Sequence, residues 1–155
     1  MGHYNIELVN HRSQEIAGVI WSIFQESYAA EAKLIGVDVF PPLERSVDAI
    51  QDSTTNFWCC QRDDHIVGII EVEEGPNHLG ICSLAVKPEF FRQGIAAALV
   101  SYVLPKAKAK EVIVSTAKLN TPATSLYKKL QFVEMDIWQT KEGIELVSLV
   151  KRNDH

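Results

Sequence analysis

Small residues crowd the start of one helix pattern. In VKPEFFRQGIAAALV, residues 86–100, the apolar run Leu84-Ala85-Val86 gives way through Pro88 and two aromatics to Gly94, Ala96, Ala97 and Ala98. The first N–H groups of a helix have no partner inside it. They sit at the positive end of the helix dipole, so together they attract an anion, phosphate above all. Side chains this small let a diphosphate approach the backbone, and Arg92 adds charge. The same alanines also suit a plain helix packed on a sheet, and on this stretch alone both readings stand. The three glycines of a dinucleotide fingerprint and the Gly-Lys-Ser/Thr of a P-loop are absent.

Other chemistry is narrowed by composition. Cys59, Cys60 and Cys82 are odd in number and fit no zinc spacing. They read as reduced, partly buried thiols, and nothing around Cys82 would activate a thiolate. No metal site is expected. Over 155 residues the net charge is −5, which argues against a broad basic nucleic-acid face. Hydrophobic content of 46% and charged content of 23% fit one ordinary globular domain spanning residues 1–155. No apolar run reaches the roughly 18 residues of a membrane span. MGHYNIELVN is not a secretory leader, and Ile6 stands where N-myristoylation needs Ser or Thr. A cytoplasmic location is expected.

The elements that must position these residues read β-α-α-β-β-β-α-β-α-β-β. Residues 4–9 form a first strand. Ser13 caps a helix carrying Ile16, Val19, Ile20, Ile23 and Phe24 at helical spacing, and the pattern stops near Gly36. Pro41 and Pro42 hold the next segment out of a helix, and Ser46 caps a short one through Gln51. NFWCCQ, HIVGIIEVEE and HLGICSLAV follow as strands across tight turns, an antiparallel meander. GIAAALVSYVL is a helix that Pro105 ends or kinks. EVIVST is an apolar strand suited to burial on both faces. TPATSLYKKL starts with Thr121 as N-cap and Pro122 at the first helical position. Strands FVEMDIWQT and IELVSLVK close the chain. The class is α+β with a mixed sheet.

ICSLAVKPEFFRQGIAAALV resembles the acetyl-CoA motif of the GNAT superfamily of N-acetyltransferases: Leu84, Val86 and Pro88 match its strand, Gly94 and Ala96 its two small positions. NTPATSLYKKLQF is similar to the second motif, matching at Asn120, Ala123, Leu126, Tyr127 and Phe132. The motifs cover residues 81–133, with EVIVST between them. Two positions depart: Phe91 stands where Arg or Gln is usual, and Gln131 replaces a glycine that ends the helix.

The resemblance implies a mostly antiparallel sheet of about seven strands flanked by about four helices, splayed between strands four and five. It implies acetyl-CoA as co-substrate, its pantetheine arm along Leu84, Ala85 and Val86, and its diphosphate on Arg92, Gln93, Gly94, Ile95, Ala96 and Ala97. Asn120 and Tyr127 join that set. Tyr127 matches the family's general acid for the leaving thiolate, and backbone N–H groups near Leu84 would polarise the acetyl carbonyl. The family's two usual carboxylate bases fall on Gly80 and Ser115, so the base stays unassigned among His78, Glu71, Glu73 and water. Tyr28 and Glu31, three apart, share a helix face and are candidates for the acceptor pocket beside FPPLE. The implied activity is acetyl transfer to a primary amine of a small molecule or peptide. The alternative is an acyl-CoA-binding regulatory domain without transfer. A homodimer through the last strands is a further expectation.

Overall fold

The computed structural model describes residues 4–108 and 110–152. Met1 and Gly2, on which the leader and lipid readings turn, lie outside them. Seven strands, β1 (Asn5–Val9), β2 (Asn56–Arg62), β3 (His65–Glu74), β4 (His78–Val86), β5 (Glu111–Ala117), β6 (Val133–Gln139) and β7 (Glu145–Arg152), alternate with four helices. The helices are α1 (Gln14–Ile35), α2 (Val47–Asp52), α3 (Ile95–Val103) and α4 (Thr121–Lys129). The sheet runs β1-β2-β3-β4-β5-β7-β6. Every pairing is antiparallel except β4 with β5. This is the mixed α+β sheet the sequence implied. No described helix is long and apolar enough to cross a membrane.

Local chemistry sets the boundaries. The Ser13 hydroxyl accepts from the Ile16 N–H at 3.4 Å, and Gly36, at φ 75°, ends α1 as one unbroken 22-residue helix. The Ser46 hydroxyl accepts from the Ala49 N–H at 3.1 Å, and α2 runs one residue past the expected Gln51. Asp63 and Asp64 both take positive φ, the geometry of a two-residue type I′ turn, and reverse β2 into β3. Pro105 takes α3 into a 3-10 turn over Leu104–Ala107.

Both faces of the sheet are covered, as strand periodicity requires. Ile20, Ile23 and Phe24 of α1 and Ile50 of α2 pack on Phe57, Cys59, Ile69 and Ala85. Leu99, Val100 and Val103 of α3 pack on the opposite face with Cys60, Ile70, Val112 and Leu149. Adjacent Cys59 and Cys60 thus enter different cores, both fully buried, whereas Cys82 is exposed. Helix α3 lies so close that a Cβ at Gly68 of β3 would stand 2.8 Å from Ile95 Cγ2. Strand β6 forms the sheet edge and is exposed along its whole length.

One expectation about α4 needs correction, and one departure from the motif finds its explanation. Asn120, not Thr121, is the N-cap: its Oδ1 accepts from the Ala123 N–H at 3.1 Å, and Pro122 sits in the first turn. At the other end Gln131 takes the left-handed position at φ 75° without being glycine. The Phe132 N–H reaches the Tyr127 carbonyl at 2.9 Å and the Gln131 N–H reaches the Lys128 carbonyl at 3.0 Å. That is a Schellman motif. Its apolar contact is Phe132 against the Tyr127 ring, centroids 5.3 Å apart.

Candidate active site

Strands β4 and β5 pair only from His78↔Glu111 to Ile81↔Val114. Beyond that they diverge, each continuing alone on that side. The divergence coincides with a bulge. Ser83 pairs with Glu71 and Ile81 with Val72, leaving Cys82 as an extra residue on β4. A bulge bends a strand and re-aims its groups.

A cavity of about 270 Å³ fills the split. Tyr28 and Glu31 of α1 line it, with Phe40 and the 3-10 turn that Pro41 and Pro42 begin within FPPLE. Residues 81–84 and 114–117 form its strand walls, and Asn120, Ala123 and Tyr127 bound it from α4. Thr140 and Ile144 of the β6–β7 turn and Leu146 of β7 complete it. The split therefore connects the α1 face of the sheet with the α4 face.

Among the sequence candidates, Leu84, Asn120, Tyr127, Tyr28 and Glu31 meet in this one cavity. Buried Tyr28 is hydrogen-bonded to the Ser83 side chain and accepts from the Leu84 N–H, so that N–H points into the cavity. The Asn120 side chain bonds Glu31, and because its Oδ1 is held by Ala123, the amide N–H₂ is the donor. Burial raises the Glu31 pKa, with the Asn120 bond acting against the rise. The Tyr127 hydroxyl lies within electrostatic reach of Tyr28 and Glu31; burial first, then those two groups, push its pKa up. It has no hydrogen-bond partner among the described residues and lines the cavity. Burial, then the carboxylates of Glu71 and Glu73, push the Cys82 thiol up to about 11, so it is no thiolate at neutral pH.

Arg92 to Ala97 stand apart from the cavity, at the start of α3. Ser13, Ser46 and Asn120 each cap their helices with a side chain, but α3 begins on Gly94 with none. Its first N–H groups are left open. Gly94 is at φ 80°, and a Cβ there would meet nothing within 4 Å. The backbone turn requires glycine, and the space beside it is clear. Exposed Arg92 also adopts a left-handed conformation, at φ 65°. The other candidates differ in kind. Gln93 is a strut: Tyr4 donates to its carbonyl and Arg62 to its side-chain oxygen. Ile95 is fully buried, so only its N–H faces outward chemistry. Ala85 and Val86 are buried, leaving their backbone as the usable surface. Phe91 is exposed and supplies no charge.

Sequence reasoning left Glu71 among the base candidates and missed the role the structure gives it. It is 2% exposed and accepts from Arg45 at 2.7 and 3.0 Å, Thr55 at 2.6 Å, Ser83 at 2.8 Å and Ser53 at 3.3 Å. Desolvation pushes its pKa up, but the Arg45, Thr55 and Ser83 bonds outweigh it and hold the carboxyl below its ordinary value. Through Ser83 this network reaches Tyr28. Glu73 is exposed, His78 is half-buried, and neither lines the cavity. Ser115 does line it and shares a 2.8 Å hydrogen bond with Ser148. Among the described residues no group of three or more His, Cys, Asp or Glu could hold a metal ion.

Known proteins share this fold. The ribosomal-protein-S18-alanine N-acetyltransferase from Escherichia coli superposes with a TM-score of 0.76 at 15% identity, with 99% of this chain and 96% of that chain covered. The PaiA N-acetyltransferase from Thermoplasma acidophilum, solved in complex with coenzyme A, gives 0.71 at 19% identity over 93% and 98%. These are likenesses of fold. In sequence, the chain is 34% identical over 142 residues to the UPF0157 protein YqkA of Bacillus subtilis, covering 91% of this chain but only 41% of that protein. The chain thus spans about two fifths of the length of that curated relative. Residues 28–152 match the model of the acetyltransferase (GNAT) domain, both motifs and the split sheet included, and the chain belongs to that family.

Proposed function

We propose that this chain transfers the acetyl group of acetyl-CoA directly to a primary amine of a small molecule or peptide. The observation that carries the reading is the course of β4. It leaves the cavity at residues 81–84 and ends at Val86, and a connection through the 3-10 turn Pro88–Phe90 then leads to the uncapped start of α3. A thioester at Leu84 and a diphosphate at Gly94 to Ala97 are then joined by a pantetheine arm along Leu84, Ala85 and Val86. The free-amine form attacks the acetyl carbon, the Leu84 N–H turns from the Tyr28 oxygen to the carbonyl oxygen as charge develops there, the carbon–sulfur bond breaks, and the proton shed by the nitrogen passes to water, from which the coenzyme thiolate takes one. Tyr127 donates a hydrogen bond to the departing sulfur. Its raised pKa stands above the roughly 8.5 of a thiol, so it stabilises the thiolate by that bond while keeping its own proton.

Asn120 supports this reading indirectly, because its side chain is already committed to Ala123 and Glu31. It shapes the cavity from α4. The exposed edge strand β6, with Val133, Met135 and Ile137 on view, supports the expected homodimer, which sedimentation equilibrium tests directly.

The experiment is amine-dependent thiol release from acetyl-CoA, with N-acetyl product identified by mass, beside melting curves with and without CoA. Stabilisation by CoA together with amine-dependent release is expected. Stabilisation without release on any small amine, amino acid or peptide overturns the transfer reading in favour of a CoA-binding domain.

A further inference from the structure

The chain contains two carboxylates near the cleft, and they are provided for differently. Glu71 carries its own cation, Arg45, and three hydroxyl donors besides. Among the described residues Glu31 has one amide donor, from Asn120, and no ion pair, and burial raises its pKa. A carboxylate can accept about four hydrogen bonds, and a desolvated one without a cation is costly. Of the residues lining the cavity, Glu31 is the one carboxylate, and none is Lys, Arg or His. Phe40, Pro41, Pro42, Ile144 and Leu146 give the same cavity an apolar lining. The volume of about 270 Å³ lies below the roughly 300–1,000 Å³ of sites for drug-sized ligands.

On the acetyltransferase reading of this site, we propose that the acceptor is a singly charged primary amine on a compact apolar body, without a carboxylate or phosphate beside the amine. Its ammonium docks on Glu31 and supplies the cation that the fold leaves out. The apolar body lies against the Phe40–Pro42 wall. An amino-acid zwitterion would bring a second carboxylate into a cavity with no basic side chain to meet it. A polyamine would press its further ammonium groups on an apolar surface, where each loses water without gaining a partner.

The test compares matched amines on the full chain in the thiol-release assay: 2-phenylethylamine, phenylalanine, spermidine and a tetrapeptide with a free N-terminus. Phenylethylamine is expected to exceed the other three in kcat/KM by about 100-fold. A hydrogen bond to a charged group contributes about 1.5–3 kcal/mol, so Glu31→Gln should raise KM for phenylethylamine by roughly 10- to 100-fold with kcat far less affected. The variant's melting shift with CoA alone should match wild type, which separates amine recognition from coenzyme binding and from misfolding. A second readout needs no turnover: phenylethylamine should further stabilise the CoA complex of wild type and not that of Glu31→Gln. Preference for phenylalanine, spermidine or the peptide overturns this assignment while leaving acetyl transfer standing. Absence of both turnover and amine-dependent stabilisation overturns it as well, and absence of release on every amine overturns the transfer reading itself.

Discussion

Replacing Glu71 by Gln preserves size and removes charge, which separates a structural carboxylate from a catalytic base. Glu71 accepts five hydrogen bonds, from Arg45 at 2.7 and 3.0 Å, Thr55 at 2.6 Å, Ser83 at 2.8 Å and Ser53 at 3.3 Å. Glutamine has one acceptor oxygen, and its NH₂ would face donors, so at least two of these bonds fail. Each bond to a charged group is worth about 1.5–3 kcal/mol. The Arg45 side chain is 26% exposed, however, and water recovers part of its loss. The net cost is about 2–4 kcal/mol, or a fall in Tm of roughly 5–15 °C for a chain of 155 residues.

The pH dependence carries a definite sign. The folded pKa of Glu71 is depressed, so its stabilisation is complete above the unfolded carboxylate value of about 4.3 and is lost as pH falls toward the folded value. The gap in stability between wild type and Glu71→Gln should therefore be widest near neutrality and close below about pH 4. Urea denaturation across pH, beside the thiol-release assay, checks both. Two results refute the reasoning: a variant as stable as wild type at pH 7, or one that folds with wild-type stability and has lost acetyl transfer, which would make Glu71 the base.

Tyr127→Phe should lower turnover at least tenfold while CoA still raises Tm, because only the hydroxyl is removed; wild-type turnover would exclude a role at the sulfur. Gln131→Gly should stabilise by about 1 kcal/mol, since a left-handed position suits glycine, and a Tm higher by about 2–4 °C checks it. Gly94→Ala should weaken CoA binding in calorimetry, as φ of 80° strains alanine by about 1–2 kcal/mol and the turn aims the first N–H groups of α3. Arg92→Ala should reduce CoA affinity less than tenfold, and less still at high salt, because the side chain is exposed.

Much of the fold was legible because its signals are local. Ser13, Ser46 and Pro122 mark helix starts by their own chemistry, and Asp63-Asp64 mark a hairpin. The uncapped start of α3 at Gly94, where a diphosphate is proposed to bind, was legible for the same reason. The Thr121 error arose because Asn120 and Thr121 are both good caps, and only the bond to Ala123 decides. What the sequence concealed was non-local. Cys82 looks like any residue of HLGICSLAV, yet register against β3 makes it a bulge. Glu71 sits in an alternating strand and reads as solvent-facing, but Arg45, distant in sequence and lying after two prolines, folds back to meet it. The left-handed Gln131 hides in the same way: the helix end needs the conformation, and the side chain merely tolerates it.

Gly68 gives the proposed coenzyme site a hidden adjustment. It touches none of the cavity lining, but the missing methyl sets how closely α3 rests on β3, with Ile95 Cγ2 and Leu99 Cδ1 at 2.8 and 3.1 Å from where a Cβ would stand. Ile95 is branched at Cβ and stiff, so a larger residue at Gly68 would lift the first turn of α3 rather than repack it. The pitch of that helix is thus levelled from beneath the sheet, and affinity for a diphosphate can drift through a residue that no ligand ever meets.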